Sequence, residues 1–545
     1  MKRLSSVFLI VLFVGTIFGQ IITVSESEVI LGRVNIDTES SVNLTITNNA
    51  DEEILVNIME NSAVIFFEQS SFIIPSNQNY TVTLSFIPET NITYNHTVFF
   101  NVEDSEFSVP VKVIASGKFP DSRYNGTDDK WDTELRTAMS QIIANHHSIS
   151  YEAARVQLFG YIANVNGQVR CVYTNEWYNC AYGNTPNWND INTEHTWPQS
   201  MGAAGTAKSD LHHLFPTNSQ ANSIRGNYPF GEVVNASWQN SGSKKGTNSS
   251  GNTVFEPRDD HKGDTARVMF YFALRYGNLN NFLNSANQQL VMKDWYYEDP
   301  VSQYEIERNE EIEAIQNKPN PFIEYPQLMD RIANMTDNSV TPRSPLICTP
   351  YAEYNFPGTA LNQTSQLSIP IANDGNKSLT ISSIQFTDPA FTISDFPVSL
   401  EIGDWGVLTV NFTPTVESEY NCAMNIYSNT DVYELALIGN GGSVPNDNHD
   451  VEVFTNVSLT NYPNPFVAQT TLSFRGVKQQ SATITIYNLK GQKVATVANH
   501  NLRGGIGEVN WDGTDSRGKK LPSGLYFAKL SAGNQSTTRK ILIMK

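Results

Sequence analysis

Asn192-Thr193-Glu194-His195-Thr196-Trp197-Pro198-Gln199-Ser200 is a short polar segment closed by a Trp-Pro pair. Asp210-Leu211-His212-His213-Leu214-Phe215-Pro216 follows, and then Thr217-Asn218-Ser219-Gln220-Ala221-Asn222-Ser223-Ile224-Arg225-Gly226-Asn227. The first two pieces read as extended chain. Thr217 or Asn218 can cap a helix that carries Asn222, because their side-chain oxygens accept from the free N–H groups of a first turn. Strand, strand and helix would then gather Glu194, His195 and Asn222 around one point. Adjacent residues of a regular strand point to opposite faces. Glu194 and His195 therefore share a site only if the strand ends or bulges there, and Trp197-Pro198 favours an early end.

Those side chains suit hydrolysis of a phosphodiester. Water must lose a proton near neutral pH, which an imidazole accepts. Charge growing on the phosphate and the leaving oxygen needs a hard cation that takes few oxygen ligands and keeps several waters. One carboxylate and one amide oxygen are enough. The surrounding residues carry paired readings. Asp210 either orients a histidine or caps a turn. One of His212 and His213 can hydrogen-bond a metal ligand or its water while the other is structural. Arg225 either contacts phosphate or pairs with an acid, and Asn227 either supports the metal loop or satisfies its own turn. Trp197 reads as core.

Taken together, these motifs are similar to those of the endonuclease I family of periplasmic and secreted nucleases, within the His-Me finger (ββα-metal) group. Val254-Phe255-Glu256-Pro257, Lys262-Gly263-Asp264-Thr265-Ala266-Arg267 and Asn320-Pro321-Phe322-Ile323 extend the resemblance over roughly residues 125–340. It implies His195 as general base, Glu194 and Asn222 as ligands of Mg²⁺ (or Mn²⁺ or Ca²⁺), and 5′-phosphate products from DNA and often RNA. Some members carry a basic, cysteine-containing insertion where this chain has only Thr196 to Ser209. Their phosphate-supporting arginine has no clear counterpart here, with Arg225 and Lys208 as the substitutes to consider.

Around that segment, residues 118–345 read as one α+β domain. Helical spacing is expected over Trp131–Ile149, Thr265–Tyr276 and Gln327–Ala333. Residues 20–117 and 346–441 instead alternate apolar and polar side chains between Asn-, Asp- and Pro-rich turns, the pattern of antiparallel β-sandwiches. Leu44-Thr45-Ile46-Thr47-Asn48-Asn49 is echoed by Leu367-Ser368-Ile369-Pro370-Ile371-Ala372-Asn373, so the two flanks read as copies of one module split by an insertion. Both resemble immunoglobulin-like modules of the Hydin type. A polar linker spans 442–458, and a small β-domain fills 459–545. Its Tyr462-Pro463-Asn464-Pro465-Phe466, Trp511-Asp512-Gly513 and Leu521-Pro522-Ser523-Gly524-Leu525-Tyr526 resemble the C-terminal sorting domain of type IX secretion. That implies the type IX machinery as a partner, a Gram-negative host, and release from the cell or attachment to its surface.

Met1-Lys2-Arg3 and the apolar run Leu4–Phe18 read as a signal peptide over 1–19. No other stretch is apolar enough to span a membrane. An oxidising destination permits disulfides, with Cys171 and Cys180 as one candidate pair and Cys348 and Cys422 as another. None of the four has the spacing of a zinc site. The formal charge of −19 argues against tight, slow-release nucleic-acid binding. Residues 118–343 hold 19 Lys and Arg against 26 Asp and Glu, so phosphate must be received by a metal and a local cation. The reading is a secreted, metal-dependent endonuclease of low sequence specificity acting on nucleic acid. The competing reading is a non-catalytic surface adhesin that works through its β-modules.

Overall fold

The computed structural model describes residues 21–103, 105–442, 458–462, 466, 469–475, 481–488, 492–501, 506–532 and 535–543. The expected signal peptide and most of the expected linker lie outside the described residues. Among the described residues no helix is long and apolar enough to cross a membrane. Their hydrophobic cores fall into four main clusters in chain order.

The first cluster lies between two sheets. One orders Ile22–Val24, Ser40–Asn48, Asn79–Phe86 and Ile65–Phe67; the other orders Glu28–Asn35, Ser108–Lys118, Thr93–Val102, Ile54–Met59 and Ser71–Ile74. Alternation along Ser40–Asn48 puts Leu44, Ile46 and Asn48 inside, as the period of two requires. The third cluster repeats the plan with Ile347–Cys348, Ser365–Asn373, Trp405–Phe412 and Phe391–Asp395 facing Glu353–Asn355, Val432–Asn440, Glu419–Ser428, Leu379–Phe386 and Ser399–Leu400. The duplication reaches single side chains. Buried Asn48 donates to the carbonyls of Glu52 (2.8 Å) and Ile74 (3.0 Å). Buried Asn373 donates to those of Lys377 (2.8 Å) and Leu400 (3.1 Å). Each amide satisfies carbonyls where a strand leaves its sheet, which an apolar residue would leave unpaired.

These two modules pack on each other. Phe99, Cys348 and Ala372 form a small shared core. Around it Thr97 donates to the Gly403 carbonyl at 2.9 Å, His96 meets Asp374 at 2.9 Å, and Tyr351 donates to the carbonyls of Val102 and Phe107, each at 3.1 Å. The first module also holds the middle domain: buried Arg331 donates to Asn91 at 2.6 Å, and Thr93 to Asp129 at 2.9 Å.

The middle domain is built on helices α1 (Asp132–Ile142), α2 (Tyr151–Gln157), α3 (Ser219–Arg225), α4 (Lys262–Tyr276), α5 (Gln288–Glu298) and α6 (Gln303–Gln316). A two-stranded antiparallel ribbon pairs Ile191–His195 with Leu214–Asn218. Helix α1 stops short of the expected Ile149 because Asn145 adopts a positive φ of 56°, a conformation asparagine tolerates and a helix does not. The helix expected over Gln327–Ala333 is a tight turn over Pro326–Arg331. Helix α6 was not expected, since its buried residues are Glu305, Arg308, Asn309, Ile312 and Gln316 and carry no apolar stripe. Its burial is mostly polar. Glu305 caps the helix start with Ser302 and takes a two-pronged bond from Arg267, 2.7 Å on each arm.

Candidate active site

The ribbon and α3 form a strand–strand–helix unit. Asn218 ends the second strand and caps α3, its side chain accepting from the Ala221 N–H at 2.9 Å. Gly226, with φ +55°, closes α3 and turns the chain after Arg225. Helix α6 braces the turn before the second strand: Arg308 donates to the carbonyls of Leu211 (2.6 Å) and Leu214 (2.9 Å), and Gln316 accepts from the Leu211 N–H at 2.8 Å.

The strand Ile191–His195 is regular throughout, with Glu194 opposite Phe215 and His195 opposite Leu214. No bulge occurs; His195 is its last residue. Glu194 and His195 accordingly meet different neighbours. Glu194 is buried, and its Oε1 accepts from the Tyr173 hydroxyl at 2.9 Å and lies 3.1 Å from Nε of Arg225. Burial raises its pKa while the Arg225 charge works in the other direction. Asn222 donates its amide to Asn192 Oδ1 at 2.7 Å and to the Thr193 carbonyl at 3.2 Å. Asn192 and Glu194 are two apart and so share a face, which brings Asn222 to the Glu194 side of the ribbon. Among the described residues neither Glu194 Oε2 nor Asn222 Oδ1 receives a hydrogen bond. One carboxylate oxygen and one amide oxygen thus remain as acceptors, a donor set that fits a hard divalent cation. Among the described residues no three His, Cys, Asp or Glu side chains gather as a metal cluster.

His195 sits at the strand end against Tyr151 of α2 and His213, with ring centroids 5.5 Å away in each case. Its Nε2 is 3.2 Å from the Lys208 carbonyl. A carbonyl only accepts, so Nε2 carries the proton and Nδ1 holds the lone pair. Gln199 reaches that Nδ1 with a long 3.4 Å contact. Burial, then the neighbouring His213, push the His195 pKa down to about 3. The ring is therefore neutral at physiological pH, the form a base needs.

The remaining sequence candidates separate. Arg225 is fully buried, paired with Glu194, and donates to the carbonyls of Thr196 (3.0 Å) and Tyr228 (2.6 Å). It takes the acid-pairing role. Lys208 is the half-exposed cation next to His195, with its ammonium 4.5 Å from the centre of the Tyr151 ring. Asp210 is buried, caps the His212 N–H, and accepts from Tyr271 (3.0 Å) and Tyr276 (2.8 Å). His212 and His213 are also buried. They bond the carbonyls of Lys318 (2.9 Å) and Ala207 (2.6 Å), and only His213 packs on His195. Asn227 is exposed in the turn after α3. Trp197 is core, stacked on Phe272 at 4.7 Å.

The two expected cysteine pairs are not formed; all four thiols are free and buried. Cys171 accepts from the N–H groups of Thr174 (3.3 Å) and Asn218 (3.0 Å), while Cys180 donates to the Phe159 and Asn184 carbonyls, each at 3.4 Å. Cys348 lies in the core between the two β-modules, and Cys422 in the core of the second. Tyr173, Tyr151, Gln199 and His261, which acts electrostatically on Glu194, were not read from sequence. Gln199 and His261 lie in or beside the quoted motifs, but nothing local singles them out, and Tyr151 and Tyr173 come from outside those motifs.

The strand–strand–helix unit carries an acid, an amide and an imidazole, with Glu194 and His195 in one strand and Asn222 on the helix that follows the second. The family model "Endonuclease I" matches residues 132–327, and that of the secretion system C-terminal sorting domain matches residues 460–544. The extracellular ribonuclease of Bacillus subtilis (strain 168) is 34% identical over 238 residues, covering 39% of this chain and 78% of the relative. That of Bacillus amyloliquefaciens is 34% identical over 243 residues, covering 40% and 81%. The periplasmic deoxyribonuclease of Aeromonas hydrophila is 29% identical over 117 residues, covering 22% and 48%. The chain is a nuclease. It belongs to the endonuclease I family and carries a type IX sorting domain at its C-terminal end, which directs it out of the cell or to its surface.

Proposed function

We propose that this protein is a secreted endonuclease that hydrolyses DNA and RNA with low sequence specificity and leaves 5′-phosphate ends. The observation that carries the reading is His195: a neutral imidazole whose Nε2–H is held by the Lys208 carbonyl, which leaves the lone pair on Nδ1. Nδ1 takes the proton from the attacking water, displacing the weak Gln199 contact. Glu194 and Asn222 hold one divalent cation, Mg²⁺ by donor type, through the oxygens left unpaired. When bound, the cation neutralises charge on the scissile phosphate and leaving oxygen. Arg225 and Tyr173 fix the Glu194 carboxylate, and Lys208 meets the phosphate. Release or attachment at the surface of a Gram-negative cell follows from the sorting domain.

The test is digestion of supercoiled plasmid and of RNA by wild type and His195→Ala, each with Mg²⁺ or EDTA. Wild type degrades both substrates only with metal, and the variant is slower by about 10²–10⁴-fold, the usual worth of a general base. A His195→Ala protein as fast as wild type overturns the assignment of the base. A folded wild type that cuts neither substrate with any divalent cation favours the adhesin.

A further inference from the structure

Next to the site, a line of aromatic rings, half-buried at Tyr151 and exposed at Trp188, Tyr161 and Tyr182, runs away from His195, and nothing in the hydrolytic chemistry uses the exposed ones. Tyr151, whose ring packs on His195, opens α2. Four residues on, and so on the same face about 6 Å along the axis, Arg155 holds its guanidinium 4.5 Å from the centre of the Trp188 ring. Trp188 is 46% exposed. Beyond α2 the chain makes one wide turn, Leu158–Ile162, which presents Tyr161 against Tyr182 with ring centroids 4.8 Å apart. Tyr182 is 71% exposed.

The loop that carries Tyr182 and Trp188 is pinned to the wide turn that follows α2. Gly160 and Gly183 meet backbone to backbone: the Gly183 N–H donates to the Gly160 carbonyl at 3.0 Å, and a Cβ at Gly160 would stand 2.9 Å from Gly183. Two large rings are thus held in the open by an anchored loop, where a mobile loop would let them collapse onto the surface. The cations of this surface, Lys208 and Arg155, each lie over a ring. The loop leads directly into the strand that bears Glu194 and His195.

We propose that Trp188 and Tyr182 form a stacking track for the bases of single-stranded nucleic acid, with Arg155 and Lys208 following its backbone into the cleft. Alternating rings and cations are what an unpaired strand needs, since every base has a face to stack and stacking does not read sequence. A duplex keeps its base faces covered and gains nothing from the rings. The track therefore favours single strands, and single-stranded regions of folded RNA, without sequence preference. This rests on the nuclease reading for its direction, but binding to the rings does not depend on which residue is the base.

The experiment measures binding without cleavage. Fluorescence anisotropy of a labelled single-stranded oligodeoxynucleotide, and of the same sequence as a blunt duplex, is followed in EDTA with wild type, Trp188→Ala, Trp188→Phe and Tyr182→Ala. Both alanine variants weaken single-strand binding by about tenfold per lost ring, leave duplex binding within twofold, and Trp188→Phe retains most of the affinity. Both side chains are exposed, and far-UV circular dichroism and Tm of each variant should match wild type, which separates lost stacking from lost folding. Unchanged single-strand affinity in both alanine variants, or an equal loss for duplex, overturns the track. Failure of cleavage in wild type would overturn the catalytic reading alone.

Discussion

Arg225 Nε stands 3.1 Å from Glu194 Oε1, and both side chains are buried. A charge pair removed from water holds only while both partners are present. Arg225→Met strands the Glu194 carboxylate and is expected to lower stability by about 3–5 kcal/mol in urea unfolding. The double variant Arg225→Met/Glu194→Met should recover much of that loss and remain inactive. A single variant as stable as wild type would mean that the pair does not hold the site.

Metal dependence separates Asn222 from a purely structural asparagine. Its amide N–H groups tie α3 to the ribbon through Asn192 and Thr193, and its carbonyl oxygen is the proposed ligand. Asn222→Ala should raise the Mg²⁺ concentration for half-maximal cleavage at least about tenfold, the scale on which ligand-shell changes act. Asn222→Asp should keep activity closer to wild type. Titration curves that superimpose on wild type remove Asn222 from the metal.

Lys208 is expected to act on phosphate, with its carbonyl still available to His195 in any variant. Lys208→Ala should lower kcat/KM and reduce the slope of log affinity against log salt by about 1, the signature of one lost phosphate contact. An unchanged slope would assign the ammonium to Tyr151 packing alone.

Burial pushes the pKa of both His212 and His213 down to about 4, against about 6.5 in an unfolded chain. Between those values the unfolded chain binds more protons than the folded one, so stability rises with pH across that window. The contribution is complete above about pH 6.5, falls as pH drops toward 4, and is worth up to roughly 3 kcal/mol per ring. Thermal unfolding from pH 7.5 to 4.5 should show this decline, and His213→Gln should make it shallower. A flat profile would indicate that the two rings titrate normally.

The cysteines give a direct check on the packing. Ellman titration should find almost no reactive thiol in the native protein and four after denaturation without reductant. Tm should be the same with and without dithiothreitol. A reductant-sensitive Tm would restore the disulfide reading for at least one pair.

Much of the architecture was legible because its signals are local. Alternation in Ser40–Asn48 and Ser365–Asn373 marked the paired β-modules, and the Asn48–Asn373 echo proved to be one buried amide used twice. The run from Asn192 to Asn227 placed strand, strand and capped helix together. Helix α6 was not legible, because most of its buried side chains are polar and several find partners far away in sequence, such as Arg267 for Glu305. The cysteine pairing failed for a similar reason. Closeness in sequence could not reveal that Cys171 and Cys180 turn their sulfurs toward different backbone groups.

By itself the sequence marked the β-rich flanks on either side of a mixed region, and it placed Glu194 and His195 at a strand end and Asn222 on a short capped helix. Those features follow from periodicity, capping and spacing over a few residues. Tertiary structure alone decided that Arg225 faces Glu194 and not the solvent, that Lys208 anchors His195, that Tyr173 closes on the carboxylate, and that Trp188 stands open above Arg155. Each is a choice among partners well separated along the chain, and only packing, which excludes water from some groups and leaves others exposed, makes that choice.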